Sequence, residues 1–183
     1  SNIGGAIKGI SLKDFKEQGS SDPLTIARIK NPSDYILNIS SVGIPSLGLS
    51  GYTAKRTADG IIYTLQADGW EISKRYILNN TKRGIALQVS AKNISSSAKE
   101  LNYRLIGGAG MAESNGQNKQ FVEVTSSIDG KTIGFKRSKA ARIVNPGSVK
   151  WSALKNKYFS FILKPLSTTK DQFYSEDSDG MLV

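Results

Sequence analysis

Residues 61–78 read IIYTLQADGWEISKRYIL, and this stretch decides the fold. In its first half Ile61, Tyr63, Leu65 and Ala67 alternate with Thr64, Gln66 and Asp68. In its second half Trp70, Ile72, Tyr76 and Leu78 alternate with Glu71, Ser73 and Arg75. A period of two places alternate side chains on one face of a strand, so each half is a strand with one buried face. Asp68-Gly69 lies between them, a dipeptide that accepts the positive φ angles of a tight hairpin turn.

Outward from this hairpin the same pattern recurs. GIALQVSAK sets Ile85, Leu87 and Val89 inward, ELNYRLIGG sets Leu101, Tyr103 and Leu105 inward, and the polar NISSSAKE joins them. GGAIKGISLKDF supplies an earlier strand, and FVEVTSSIDGKTIGF reads as a hairpin closed at Asp129-Gly130. Turn signals at Asp22-Pro23, Asn31-Pro32, Asp59-Gly60, Asn145-Pro146-Gly147 and Asp179-Gly180 punctuate the rest. Helical periodicity is hard to find, and SKAAR (138–142) is at most a turn or two. The spacing predicts an all-β chain, a large antiparallel β-sandwich with few short helices, built as a single domain over 1–183. Ser1 and Asn2 read as an expression-tag remnant and the apolar ending GMLV as a strand cut short.

Composition narrows the chemistry. The 183 residues contain no cysteine and no histidine. Disulfides and thiolate metal sites are thereby excluded, together with the usual general base near neutral pH. The net charge of +10 favours an anionic contact, such as a lipid surface, nucleic acid or an acidic protein. The densest basic block, Lys136, Arg137, Lys139 and Arg142, has no aromatic side chain between its charges and so offers no stacking platform for single-stranded nucleic acid. It reads as a solvated loop, and nucleic acid is not an expected partner. The sequons at Asn38, Asn79 and Asn93 read as ordinary strand-end polarity.

Four motifs imitate active sites. Ser152 to Lys155 (SALK) and Ser167 to Lys170 (STTK) match a Ser-x-x-Lys dyad, which needs one helical turn; on a strand, residues three apart point to opposite faces. Gly107 to Gly110 (GGAG) would cradle phosphate only if a helix followed, and MAESNGQNKQ has no apolar stripe for a helix to bury. Glu176, Asp177 and Asp179 in SEDSDG lack the flanking acids of a calcium loop and read as an acidic surface turn. No pair among the 15 acids is singled out for glycoside hydrolysis.

Residues 145–165, NPGSVKWSALKNKYFSFILKP, read as two strands joined at KNK and ended by Pro165, which withholds an amide donor. Tyr158 beside Phe159 predicts a strand buried on both faces. The part VKWSALKNKYFSFILKP resembles a segment near the end of the large periplasmic domain of YidC-type membrane protein insertases, through Trp151, Lys155, Asn156, Tyr158, Phe159 and Pro165. GGAIKGISLKDF is similar to that domain's first strand, and DGWEISKRYIL to one of its hairpins; the three occur in the family's order.

The resemblance implies a β-supersandwich like that of galactose mutarotases. Those enzymes rely on histidine for sugar epimerisation, so without any here the expectation is a non-enzymatic scaffold with no catalytic, cofactor or metal residues. It also implies an extracytoplasmic domain on the periplasmic face of a bacterial inner membrane. The expected partners are the Sec translocon with its SecDF accessory complex, nascent membrane proteins and an anionic lipid surface. The alternative is a carbohydrate-binding or sugar-modifying β-sandwich using carboxylates and the faces of Trp70 or Trp151.

Overall fold

The computed structural model describes residues 1–17, 19–41, 44–79, 84–108, 122–136, 142–145, 147–166, 173–178 and 181–182. Its first strands in chain order are β1 (Gly9–Lys16), β2 (Pro23–Arg28), β3 (Ile39–Ser41), β4 (Thr53–Thr57) and β5 (Gly60–Ala67). There follow β6 (Trp70–Asn79), β7 (Gly84–Asn93), β8 (Tyr103–Leu105), β9 (Glu123–Ile128) and β10 (Lys131–Lys136). The last are β11 (Arg142–Asn145), β12 (Val149–Lys155), β13 (Ser160–Leu163), β14 (Phe173–Ser178) and β15 (Met181–Leu182). Helix among the described residues amounts to two 3-10 turns, Pro32–Asp34 and Pro45–Gly48. The fold is all-β and sandwich-like, in several antiparallel sheets.

The chain forms two compact units, Ser1–Ile7 with Asn31–Ile106, and Lys8–Lys30 with Gly107–Val183. The first is organised by the antiparallel meander β4-β5-β6-β7. The β5–β6 hairpin closes at Asp68 (φ 50°) and Gly69 (φ 82°), the paired left-handed residues of a type I′ turn, whose twist matches that of the strands. The register that follows pairs Ala67 with Trp70 and Leu65 with Ile72. Ile39, Ile44, Leu47, Tyr52, Trp70 and Ile72 form the buried core, with Tyr63, Leu65, Val89, Leu101 and Leu105 packed on it.

Three residues expected inside lie at the margin. Leu78, Ile85 and Tyr103 are 52%, 45% and 46% exposed. Leu78 and Ile85 face each other at the far end of the β6–β7 pairing, where they shield one another without reaching the core. Tyr103 is the outer residue of a three-residue strand paired only with β3 among the described strands.

In the second unit β9 and β10 pair around Asp129 (φ 49°) and Gly130 (φ 79°), as the sequence indicated, within the sheet β10-β9-β12-β13. Val124 and Leu154 are buried on one face, with Val122, Ile133 and Phe161 against them. The β12–β13 pairing sets Leu154 opposite Phe161 and Ala153 opposite Ile162. Alternation therefore turns Ile162 away from that core, and it is 69% exposed. The strand expected to be buried on both faces is half-buried on one and exposed on the other, and Tyr158 lies in the connecting turn, not in a strand. In SEDSDG, Ser175 and Glu176 pair with β11 while Asp177 and Ser178 pair antiparallel with Leu182 and Met181 of β15; Asp179 and Gly180, between these two strands, lie outside the described residues. SKAAR lies outside the described residues except for Arg142, which begins β11.

Two glycines test this backbone. A Cβ on Gly130 meets nothing within 4 Å, so Gly130→Ala should cost only the left-handed strain, about 1–2 kcal/mol. A Cβ on Gly60 would overlap the carbonyl oxygen of Tyr76 on the adjacent strand, so Gly60→Ala must splay β5 from β6. Urea unfolding should rank Gly60→Ala as clearly the more destabilising; equal losses would contradict the close β5–β6 approach.

Candidate functional site

The inward face of β6 carries Trp70, Ile72, Lys74 and Tyr76 in strict alternation. The sequence reading passed over Lys74, whose position between Ile72 and Tyr76 already marked it as inward. Its side chain is 0% exposed. Nζ donates to the carbonyl oxygens of Gly4 at 2.9 Å and Leu37 at 2.6 Å. The rings of Tyr52 and Tyr76 lie 6.0 Å and 5.9 Å from the same nitrogen. Tyr76 donates its hydroxyl to Gly5 O at 2.7 Å and meets Tyr63 edge to face at 5.9 Å.

Both acceptors sit on unusual backbone. Gly4, Gly5 and Leu37 have φ of 65°, 51° and 61°. A Cβ on Gly5 would stand 2.9 Å from Tyr63 Cβ, and one on Gly4 would collide with the Asn38 amide, so the glycine pair is required by close approach as well as by φ. Asn38, buried alongside, donates to Pro32 O at 2.9 Å and Gly48 O at 3.0 Å. Lys74, Tyr76 and Asn38 thus donate to carbonyls of three irregular segments, of which Pro32 O also accepts the Tyr35 N–H.

Burial pushes the Lys74 ammonium down to about 7, because desolvation outweighs the opposing pull of the carbonyls and ring faces. A neutral amine still has two N–H groups for its two acceptors. Burial also pushes the Tyr52 hydroxyl up to about 12 and raises Tyr76 further, helped by Tyr63 and Tyr52. With no solvent-facing surface, Lys74 acts as an internal clamp and not as a nucleophile.

A cleft of about 520 Å³ opens elsewhere in this unit, lined by Ser41, Asp68, Trp70, Lys99, Glu100 and Asn102 among others. Ser41 Oγ is buried without a hydrogen-bond partner, and Lys99 Nζ donates to Asp68 O at 3.1 Å. Trp70 lines this cleft but is only 7% exposed and belongs to the buried core. No stacking face for a sugar is available at Trp70.

The motif residues of the second unit are distributed along one hairpin. Trp151 and Lys155 lie on β12, half-buried, and Lys155 Nζ is 3.5 Å from Glu123 Oε1. Asn156 builds the turn: its Oδ1 accepts the N–H groups of Tyr158 and Phe159, each at 2.8 Å. Tyr158 is 64% exposed with Lys157 Nζ 5.4 Å from its ring centre, and Phe159 is half-buried. Pro165 follows the last β12–β13 pair, Ser152 with Leu163. Ser152 and Lys155 are not brought together, since Ser152 Oγ lies 2.8 Å from Ser126 Oγ while Lys155 turns to Glu123. Gly107 and Gly108 precede no described helix; the rest of GGAG, the STTK motif, Arg137 and Lys139 lie outside the described residues.

The class these features define is an all-β chain whose first unit is organised around a buried lysine. Comparison with family models, curated proteins and solved structures finds no match to the chain.

Replacing Lys74 isolates its contribution. Lys74→Met retains bulk but leaves Gly4 O and Leu37 O unpaired, an expected loss of about 2–4 kcal/mol at alkaline pH. Lys74 binds its proton near pH 7 when folded and near 10.5 when unfolded, so the unfolded chain holds the extra proton between these values. Wild-type stability should rise with pH across that window, with the cost of burying the charge fully present below it. Above about pH 10 the buried tyrosines reverse the trend, because they release protons only in the unfolded chain. Denaturant melts at stepped pH should show the rise in the wild type and its absence in Lys74→Met; parallel profiles would contradict the assignment.

Proposed function

We propose that the chain is a non-enzymatic extracytoplasmic domain of a YidC-type membrane protein insertase, a protein-interaction module serving the insertion and folding of membrane proteins. The observation that carries this reading is the hairpin Val149–Pro165, where the residues of the resemblance have separable structural work: Asn156 closes the turn, Pro165 follows the last pair and Tyr158 is left outward. The other two resembling segments support it. Gly4-Gly5 form a left-handed entry ahead of β1, and Asp68–Leu78 form the turn and second arm of a hairpin. Absence of histidine from the whole sequence argues against mutarotase-type acid and base chemistry on such a scaffold. The β-supersandwich, the periplasmic location and the Sec translocon and SecDF as partners belong to this proposal.

A second reading, a saccharide-binding β domain, is favoured by the cleft of Ser41, Glu100 and Asn102 with its unpartnered hydroxyl. Two measurements separate them. Depleting the full-length gene product in its host should lower the yield of inserted membrane proteins in a protease-protection assay, and calorimetric titration of the chain with a panel of sugars should show no heat of binding. Unchanged insertion would overturn the insertase reading, and saturable sugar binding would favour the second.

A further inference from the structure

The outer face of the β12–β13 hairpin combines features that a water-exposed sheet ordinarily keeps apart. Alternation sets Trp151, Ala153 and Lys155 on the side of Ile162, opposite the core residues Leu154 and Phe161; Ala153 is itself buried, and the exposed part of this face is β13 and the turn before it. Ile162 is 69% exposed on the strand, Tyr158 is 64% exposed in the turn that precedes it, and Leu166 is 81% exposed just beyond Pro165. Trp151 adds a half-buried indole. Lysines intersperse them: Lys157 is exposed over the Tyr158 ring, and Lys164, exposed, falls between Ile162 and Leu166. Glu123 is the acid on this face, and it is engaged by Lys155.

We infer that this face docks on an anionic phospholipid surface. Three exposed apolar side chains within nine residues, flanked by cations on flexible stems, suit the boundary between headgroups and acyl chains, where lysines extend to phosphate while aliphatic and aromatic groups sink below it. Charge complementarity selects this occupant: among the described residues the patch is cationic apart from Glu123, which is paired with Lys155, and the chain carries +10. A partner strand is a poorer fit, because β13 offers only four residues of edge. The inference goes beyond the insertase reading and does not depend on it.

The test is flotation of the intact chain with vesicles of phosphatidylcholine alone or with added phosphatidylglycerol. Binding should require phosphatidylglycerol and weaken with salt. Lys157→Gln with Lys164→Gln should weaken it roughly 25-fold, at about fivefold for each lysine near the surface. The triple variant Tyr158→Ser, Ile162→Ser and Leu166→Ser should abolish it, whereas Lys55→Gln with Arg56→Gln, an equal charge loss on exposed β4 positions, should leave most of it. Thermal melts confirm that each variant is folded. Equal binding to both vesicle types, or an equal loss in the β4 control, would overturn the inference. So would self-association that the triple variant abolishes without any vesicle binding, which would assign the face to a second copy of the chain.

Discussion

Lys74 reaches across the interior of the first unit to two carbonyl oxygens, and the irregular parts of that unit depend on this reach. Gly4 and Leu37 lie 33 residues apart in sequence, on segments that belong to neither arm of the central hairpin, and one nitrogen holds both to β6. A full charge in this position would cost several kcal/mol in lost hydration. Two carbonyl acceptors and two aromatic faces offset part of that cost, and the remainder is relieved by loss of a proton. What the lysine provides is specification. Left-handed backbone at Gly4, Gly5 and Leu37 is favourable only when its carbonyls find donors, and Lys74 with Tyr76 supplies them from adjacent inward positions of one strand.

The second unit is governed by a simpler constraint, the pleat. Once the Asn156 turn sets Lys155 opposite Ser160, every side chain of β13 has its face assigned. Phe161 must enter the core and Ile162 must leave it. The exposed isoleucine is therefore a consequence of register, and the tyrosine beside it a consequence of a turn whose side-chain cap fixes the backbone. An apolar group held outward by such geometry can serve binding without weakening the core, since Leu154 and Phe161 already fill the inner face.

These two arrangements divide the chemistry open to the molecule. The lysine with a depressed pKa is sealed from solvent and so is unavailable for covalent work, while the accessible lysines surround apolar side chains and act as point charges. Trp70, which lines the cleft, belongs to the buried cluster that includes Ile72 and Leu47.

The sequence by itself determined the all-β class and two hairpins, because strand alternation and Asp-Gly turns are local: the signals at 61–78 and 121–135 each lie within twenty residues. It also determined that histidine and thiolate chemistry are absent. Tertiary structure decided which alternating positions are covered. Leu78, Ile85 and Tyr103 carry the same periodic signal as Ile72 and Val89, yet they are left exposed. Lys74 is the converse case, a charged residue whose inward position was legible while its acceptors were not. Those acceptors come from residues 4 and 37, and no local pattern around residue 74 encodes where distant carbonyls will stand unpaired. Burial is a property of what packs above a face, and a strand's own sequence states only which face is asking to be covered.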